Sequence, residues 1–266
     1  MPPVRPDVRP VRAPDLAGRK KRGDKLTMIA VYDATMAGLF DEAGVDILLV
    51  GDSLGMTILG YNSTVTVTLE HMLHHTRAVA RGTRRALVVA DMPFLTHRIS
   101  DTETIRSAGS LLQEGGAAAV KLEGGQSILS SVARLVDAGI PVMGHLGLTP
   151  QSVHQLGGFR TQAKDAAAAR QLLEDARGLE ASGAFAIVLE CIPPELAEEV
   201  TGAIGIPTIG IGAGPHCDGQ VLVSYDMLGL FENPPPFAKQ YAKLRGEITR
   251  AAGEFVREVK AGEFPK

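Results

Sequence analysis

Uninterrupted apolar runs alternate with amphipathic stretches along most of the chain. Ile47-Leu48-Leu49-Val50 has no polar alternation, so it reads as a strand buried on both faces, as in a parallel sheet. Comparable runs predict strands at 26–32, 47–50, 86–90, 117–122, 142–145, 186–189, 208–211 and 220–224. Between them the pattern predicts helices at 35–42, 69–81, 101–113, 128–137, 163–181 and 194–203, with a long terminal helix at 238–260. Local punctuation agrees. Ser100 and Glu103 form a Ser-x-x-Glu capping box, and Pro193 and Pro194 suit a helix start. Gly44, Gly82, Gly139 and Gly183 follow helical stretches, where left-handed C-caps are expected.

Eight strand-like runs with helices between them match a (β/α)8 TIM barrel, an α/β fold. A doubly wound open sheet is the competing arrangement; the count of eight favours the barrel. Residues 26–266 are therefore expected to form a single barrel catalytic domain. Residues 1–25 differ, with several prolines and the basic run Arg19-Lys20-Lys21-Arg22. They read as a flexible or short-helical leader at the closed end of the barrel rather than a nucleic-acid arm. Asp7, Asp15 and Asp24 interrupt the leader, which argues against a transit peptide, and no secretory apolar region is present.

Composition narrows the partners. A net charge of −3 argues against a nucleic-acid surface, and no apolar run approaches the length that spans a bilayer. The two cysteines, Cys191 and Cys217, are too few for a disulfide framework and fit free thiols in a reducing cytoplasm.

Candidate chemistry gathers at the strand ends, which converge on one mouth in a barrel. The run 47–50 ends in Gly-Asp52-Ser53; later runs lead into Asp91, Lys121 with Glu123, His145, and Glu190. Asp52 alone could simply cap the next helix. Three carboxylates from adjacent strands, Asp52, Asp91 and Glu123, would repel one another when buried, and a hard dication such as Mg²⁺ relieves that repulsion. Lys121 and His145 suit a substrate carboxylate, and Glu190, set apart from the acid group, is free to act as a general base. Other signals are weaker. His71, His74 and His75 have i, i+3, i+4 spacing that zinc could use, but a solvated or packed helix face fits better. Gly210-Ile-Gly-Ala-Gly214 could cradle phosphate, though a tight turn is the better reading. Ser53 lacks the Gly-x-Ser-x-Gly elbow of serine hydrolases.

Six segments resemble the motifs of the ketopantoate hydroxymethyltransferase family: Val50-Gly-Asp-Ser-Leu-Gly-Met-Thr57, Ala90-Asp-Met-Pro-Phe94, Val120-Lys-Leu-Glu-Gly-Gly125, Gly144-His-Leu-Gly-Leu-Thr-Pro-Gln151, Leu189-Glu-Cys191 and Ile209-Gly-Ile-Gly-Ala-Gly214. The resemblance runs in order from about Lys25 to the C-terminus and departs most over 215–236. It implies a (β/α)8 barrel using Mg²⁺ and 5,10-methylenetetrahydrofolate. The reaction implied is hydroxymethyl transfer to 3-methyl-2-oxobutanoate, giving 2-dehydropantoate for pantothenate and coenzyme A biosynthesis. By resemblance Asp52, Asp91 and Glu123 are metal ligands. Asp52, Ser53, Asp91 and Lys121 touch the oxo acid with His145 nearby, and Glu190 is the proton acceptor. It also implies a homo-oligomer, typically a homodecamer. The alternatives are a Mg²⁺-dependent oxo-acid lyase of the isocitrate lyase or phosphonomutase type, which would usually offer a reactive Cys near the mouth, and a metal-retaining binding protein without turnover.

Overall fold

Closure of the strands on one another decides between the two architectures that the pattern allowed. The computed structural model describes residues 9–265. Helix α1 (Ala13–Arg22) precedes β1 (Leu26–Ala30), α2 (Ala34–Glu42), β2 (Ile47–Val50), α3 (Leu54–Thr57), α4 (Leu69–Gly82) and β3 (Leu87–Asp91). Then follow α5 (Asp101–Gln113), β4 (Ala119–Glu123), α6 (Leu129–Asp137), β5 (Val142–Gly147), α7 (Val153–Leu156), α8 (Ala166–Ala181) and β6 (Ala186–Glu190). The order ends with α9 (Pro194–Ala203), β7 (Thr208–Ile211), β8 (Gly219–Val223), α10 (Ser224–Met227) and α11 (Leu244–Lys260). The strands pair in parallel around a closed barrel, β1 to β8 in sequence order. This is the expected (β/α)8 topology. The described residues divide into two compact units, with the boundary between Val221 and Leu222. No described helix is long and apolar enough to cross a membrane.

Strands β2 through β5 are buried almost throughout, as their apolar runs required. Small residues bring the helices close. At Gly144 in β5, a Cβ would lie 2.7 Å from a methyl of Leu179 in α8, so a larger residue would force that side chain to repack. Gly44, Gly139 and Gly183 take the expected left-handed conformation after their helices. Gly82 does not. It is the last residue of α4, and a Cβ there would collide with the Ala34 carbonyl of α2, so its role is close helix packing.

Other expectations are amended in detail. Ser100 caps α5 by accepting the Glu103 N–H, but Glu103 turns its carboxylate to Arg106 instead of completing the box. Pro193 and Pro194 sit at the start of α9 as predicted. In the second unit the terminal helix begins at Leu244 rather than at 238. The N–H groups of Tyr241 and Leu244 donate to the carbonyls of Met227 and Leu228, so the chain here is tied to the end of α10 instead of to its own preceding turn.

Of the leader, residues 1–8 lie outside the described part; the rest includes α1. Asp15 accepts the Arg12 N–H at its start, four basic residues fill its last turn, and Gly23 ends it at φ 75°. The basic turn seals the N-terminal end of the barrel. Arg19 lies 2.6 Å from Asp46 Oδ1 and Lys20 3.1 Å from Asp218 Oδ2. Lys20 also donates to the carbonyls of Thr201 and Ile206.

Candidate active site at the strand C-termini

Strand register builds the opposite end. Pairing sets Asp91 beside Lys121, Glu123 beside His145, and Gly147 beside Glu190. The period of two along β4 sends Lys121 and Glu123 to the same side. Asp52 follows β2 directly, and its backbone N–H donates to Asp91 Oδ2 at 3.0 Å. Asp52, Asp91, Lys121, Glu123 and His145 are all buried, and Glu190 is more open to the mouth. Ser53 meets the Tyr32 hydroxyl at 2.8 Å.

Contacts run in a chain across this face. Lys121 Nζ lies 3.0 Å from Asp91 Oδ1, and 3.0 Å from His145 Nδ1 on its other side. The Asp91 oxygen has the lysine's charge nearby but no aligned hydrogen bond, so it keeps accepting capacity in a buried setting. His145 Nδ1 is 3.4 Å from Glu123 Oε1, and its Nε2 is 3.1 Å from Glu190 Oε2, again close but poorly aligned. Glu190 and the acid cluster thus flank the same imidazole.

Charge balance is uneven. Burial pushes the Asp52 carboxyl well above the usual range, and the charges of Asp91 and Glu123 push it further. Burial also raises Asp91, and Lys121 offsets only part of that. Burial opposes ionisation of Glu123 too, but His145, Lys121 and the Gln151 N–H outweigh it and hold the group low. For Lys121, burial is overcome by the three carboxylates, which raise it. For His145, burial and Lys121 favour the neutral ring, yet Glu123 and Glu190 bring it up to about 9.

The donors here are carboxylates, which suit a hard cation, and the strained Asp52 and under-satisfied Asp91 favour one electrostatically. Among the described residues, however, no three His, Cys, Asp or Glu side chains converge into a ready-made cage. Lys121 draws Asp91 aside, and Gln151 engages Asp52 and Glu123. A cation here would need part of its own water shell to reach all three acids, as Mg²⁺ commonly retains.

Two of the three histidines have hydrogen-bond partners, and the His74 ring packs edge-on against His75. The His71 ring accepts the Thr68 N–H in a capping box at the start of α4, and His75 Nδ1–H donates to the Tyr32 carbonyl at 2.7 Å. In the glycine-rich turn, a Cβ at Gly214 would press on Pro194, and the Gly214 carbonyl accepts from Gln220; this is the tight turn expected. Gln151 belonged to a recognised motif, yet its sequence context gave it no role. Only the fold brings it to Asp52, 99 positions away.

A parallel barrel with ionisable groups concentrated at the strand C-termini defines an enzyme that works on a small polar molecule at that mouth. The sequence profile of ketopantoate hydroxymethyltransferase matches residues 10–266, and the chain belongs to that family. It is 57% identical over 251 residues to the 3-methyl-2-oxobutanoate hydroxymethyltransferase of Syntrophus aciditrophicus, covering 94% of this chain and 92% of that protein. It is 55% identical over 257 residues to the enzyme of the same name from Carboxydothermus hydrogenoformans, covering 96% and 93%. Among solved structures, a phosphonopyruvate hydrolase in complex with oxalate and Mg²⁺ superposes with a TM-score of 0.63 at 13% identity, covering 95% of this chain and 88% of that one. A 2,3-dimethylmalate lyase of the PEP mutase/isocitrate lyase superfamily gives 0.60 at 18% identity, covering 95% and 89%. At these identities the two structures share the fold.

Proposed function

We propose that this chain transfers a hydroxymethyl group from 5,10-methylenetetrahydrofolate to 3-methyl-2-oxobutanoate, giving 2-dehydropantoate. Family membership supports the reaction. The observation that carries the assignment of roles is the shared imidazole: His145 lies 3.1 Å from Glu190 and 3.4 Å from Glu123, so a base and an acid-lined binding site serve one pocket.

In this reading Asp52, Asp91 and Glu123 hold Mg²⁺, one or more of them through water. When bound, the ion supplies Lewis-acid stabilisation of negative charge on the keto oxygen. Lys121 and Ser53 bind and orient the oxo acid, with Lys121 offering its carboxylate a buried positive charge. Glu190 takes the C3 proton, and His145 beside it stabilises and orients the carboxylate. The C3 carbon then bonds to the folate methylene. Across the turnover, C3–H and the methylene–nitrogen bonds break, C3–CH₂ forms, and water supplies the hydroxyl as tetrahydrofolate leaves.

The lyase alternative is disfavoured by Cys191, which follows Glu190 and would be the thiol at hand. Burial, with the neighbouring Glu190 charge, pushes that thiol up to about 11, leaving it a poor acid at neutral pH. Incubation with 3-methyl-2-oxobutanoate, Mg²⁺ and the folate donor should yield a product heavier by CH₂O. Chelation of the metal should stop the reaction and Mg²⁺ should restore it. Cleavage of the oxo acid without the folate donor would instead support the lyase.

A further inference from the structure

Gln151 lies in the 3-10 turn Pro150–Ser152 that follows β5, and it is buried. Its backbone N–H donates to Glu123 Oε2 at 3.0 Å. Its side-chain Nε2 donates to Asp52 Oδ2 at 2.9 Å and to the Met92 carbonyl at 2.9 Å. Both amide hydrogens are thus used, and the flipped amide would turn an oxygen onto two other oxygens, so the network fixes its orientation. One residue therefore ties together the C-terminal ends of β2, β3 and β4.

The chemistry of the tie matters as much as its reach. Lys121 faces Asp91 with a positive charge, which competes with any cation. Gln151 satisfies one oxygen each of Asp52 and Glu123 with neutral donors and so adds no positive charge of its own to the site. A neutral residue with three hydrogen bonds also leaves neither carboxylate free to swing, removing an ordering cost that cation binding would otherwise bear.

We infer that Gln151 is a positioning residue that fixes Asp52 and Glu123 relative to each other for divalent-cation binding. This rests on the reading of those acids as the residues that hold the ion. It acts through them and does not touch the reacting atoms.

The test is Mn²⁺ titration of the full chain, without oxo acid or folate, followed by the electron paramagnetic resonance signal of free Mn²⁺. The wild type should bind one ion per chain, and Asp52→Asn should abolish binding. Gln151→Met, which keeps the length and loses the donor, should bind roughly 10–100-fold more weakly at the same stoichiometry. Gln151→Asn keeps the amide but is a methylene too short, and should weaken binding similarly. At saturating Mn²⁺, turnover of both variants should return to within about threefold of wild type while the Mn²⁺ activation constant stays raised. Wild-type Mn²⁺ affinity in both Gln151 variants, alongside loss of binding in Asp52→Asn, would overturn the role of Gln151 and leave the metal assignment intact. Undiminished binding in Asp52→Asn would sink the metal assignment itself. If Gln151→Met does not fold, by circular dichroism, Gln151→Asn decides by the same measurement; failure of both to fold would assign Gln151 a structural role and overturn the proposal.

Discussion

The two ends of the barrel bury aspartates of nearly equal exposure and treat them oppositely. At the N-terminal end Asp46 is 6% exposed; Arg19 lies 2.6 Å and Arg85 2.9 Å from its Oδ1, and Thr27 donates to Oδ2 through its N–H and hydroxyl. Burial alone would raise that carboxyl, but the two arginines and Thr27 pull it below the usual range. At the C-terminal end Asp52 is 4% exposed, and burial with the charges of Asp91 and Glu123 drives it well above that range against the smaller pull of Lys121 and Gln151. Desolvation acts on both; the partners supplied decide the sign. One end is arranged for stability. The other holds unbalanced charge that stability alone would not select, as expected where a site is built for a ligand.

The comparison can be broken first at the mouth. Glu190→Gln should lower turnover by roughly 10²–10⁴-fold and abolish exchange of the oxo acid's C3 hydrogen in D₂O, while oxo-acid binding measured by calorimetry is retained. Undiminished exchange would remove Glu190 from the base role. Next come the paired aspartates. Asp46→Ala strands two arginines at the closed end and should cost about 3 kcal/mol in urea unfolding. Asp52→Asn should act in the opposite direction, stabilising the metal-free chain by about 1 kcal/mol by removing an uncompensated buried charge. A loss of stability in both variants would erase the contrast between the ends.

Smallest is the pH dependence. The folded-state pKa of Asp46 is depressed, so its contribution is fully present above the unfolded carboxyl value of about 3.9 and is lost as pH falls through the lower folded value. The stability gap between wild type and Asp46→Ala should therefore shrink below about pH 4. A gap that instead narrowed on going to alkaline pH would contradict the pairing with Arg19 and Arg85.

Much of this contrast is legible in the chain. Asp52, Asp91 and Glu190 each stand where a continuous apolar run stops, Glu123 closes a run that Lys121 interrupts, and eight such strand ends imply one convergent mouth. Lys121 and Glu123 share a face by simple alternation. What was not legible depends on distance in space rather than pattern. Gln151 sits in a short turn whose partners come from three strand ends, and no local periodicity marks it. Gly82 reads as a helix stop, since nothing in the sequence says that Ala34 passes against it. The start of α11 was misplaced because the bonds that hold 238–243 out of a helix come from α10. The basic run 19–22 stands out in the sequence, but its anions, Asp46 and Asp218, come from elsewhere in the barrel.

That last pairing also constrains how the molecule is made. Lys20 reaches carbonyls 181 and 186 positions downstream, one in the last turn of α9 and one just beyond it, as well as Asp218. A chain emerging from the ribosome presents α1 early, but its lysine has no acceptors until most of the barrel has been synthesised. Contacts of such long sequence separation form late and slow folding. The helix therefore engages the barrel in two stages: Arg19 can meet Asp46 early, whereas Lys20 closes its contacts only when the segment that carries Thr201, Ile206 and Asp218 arrives.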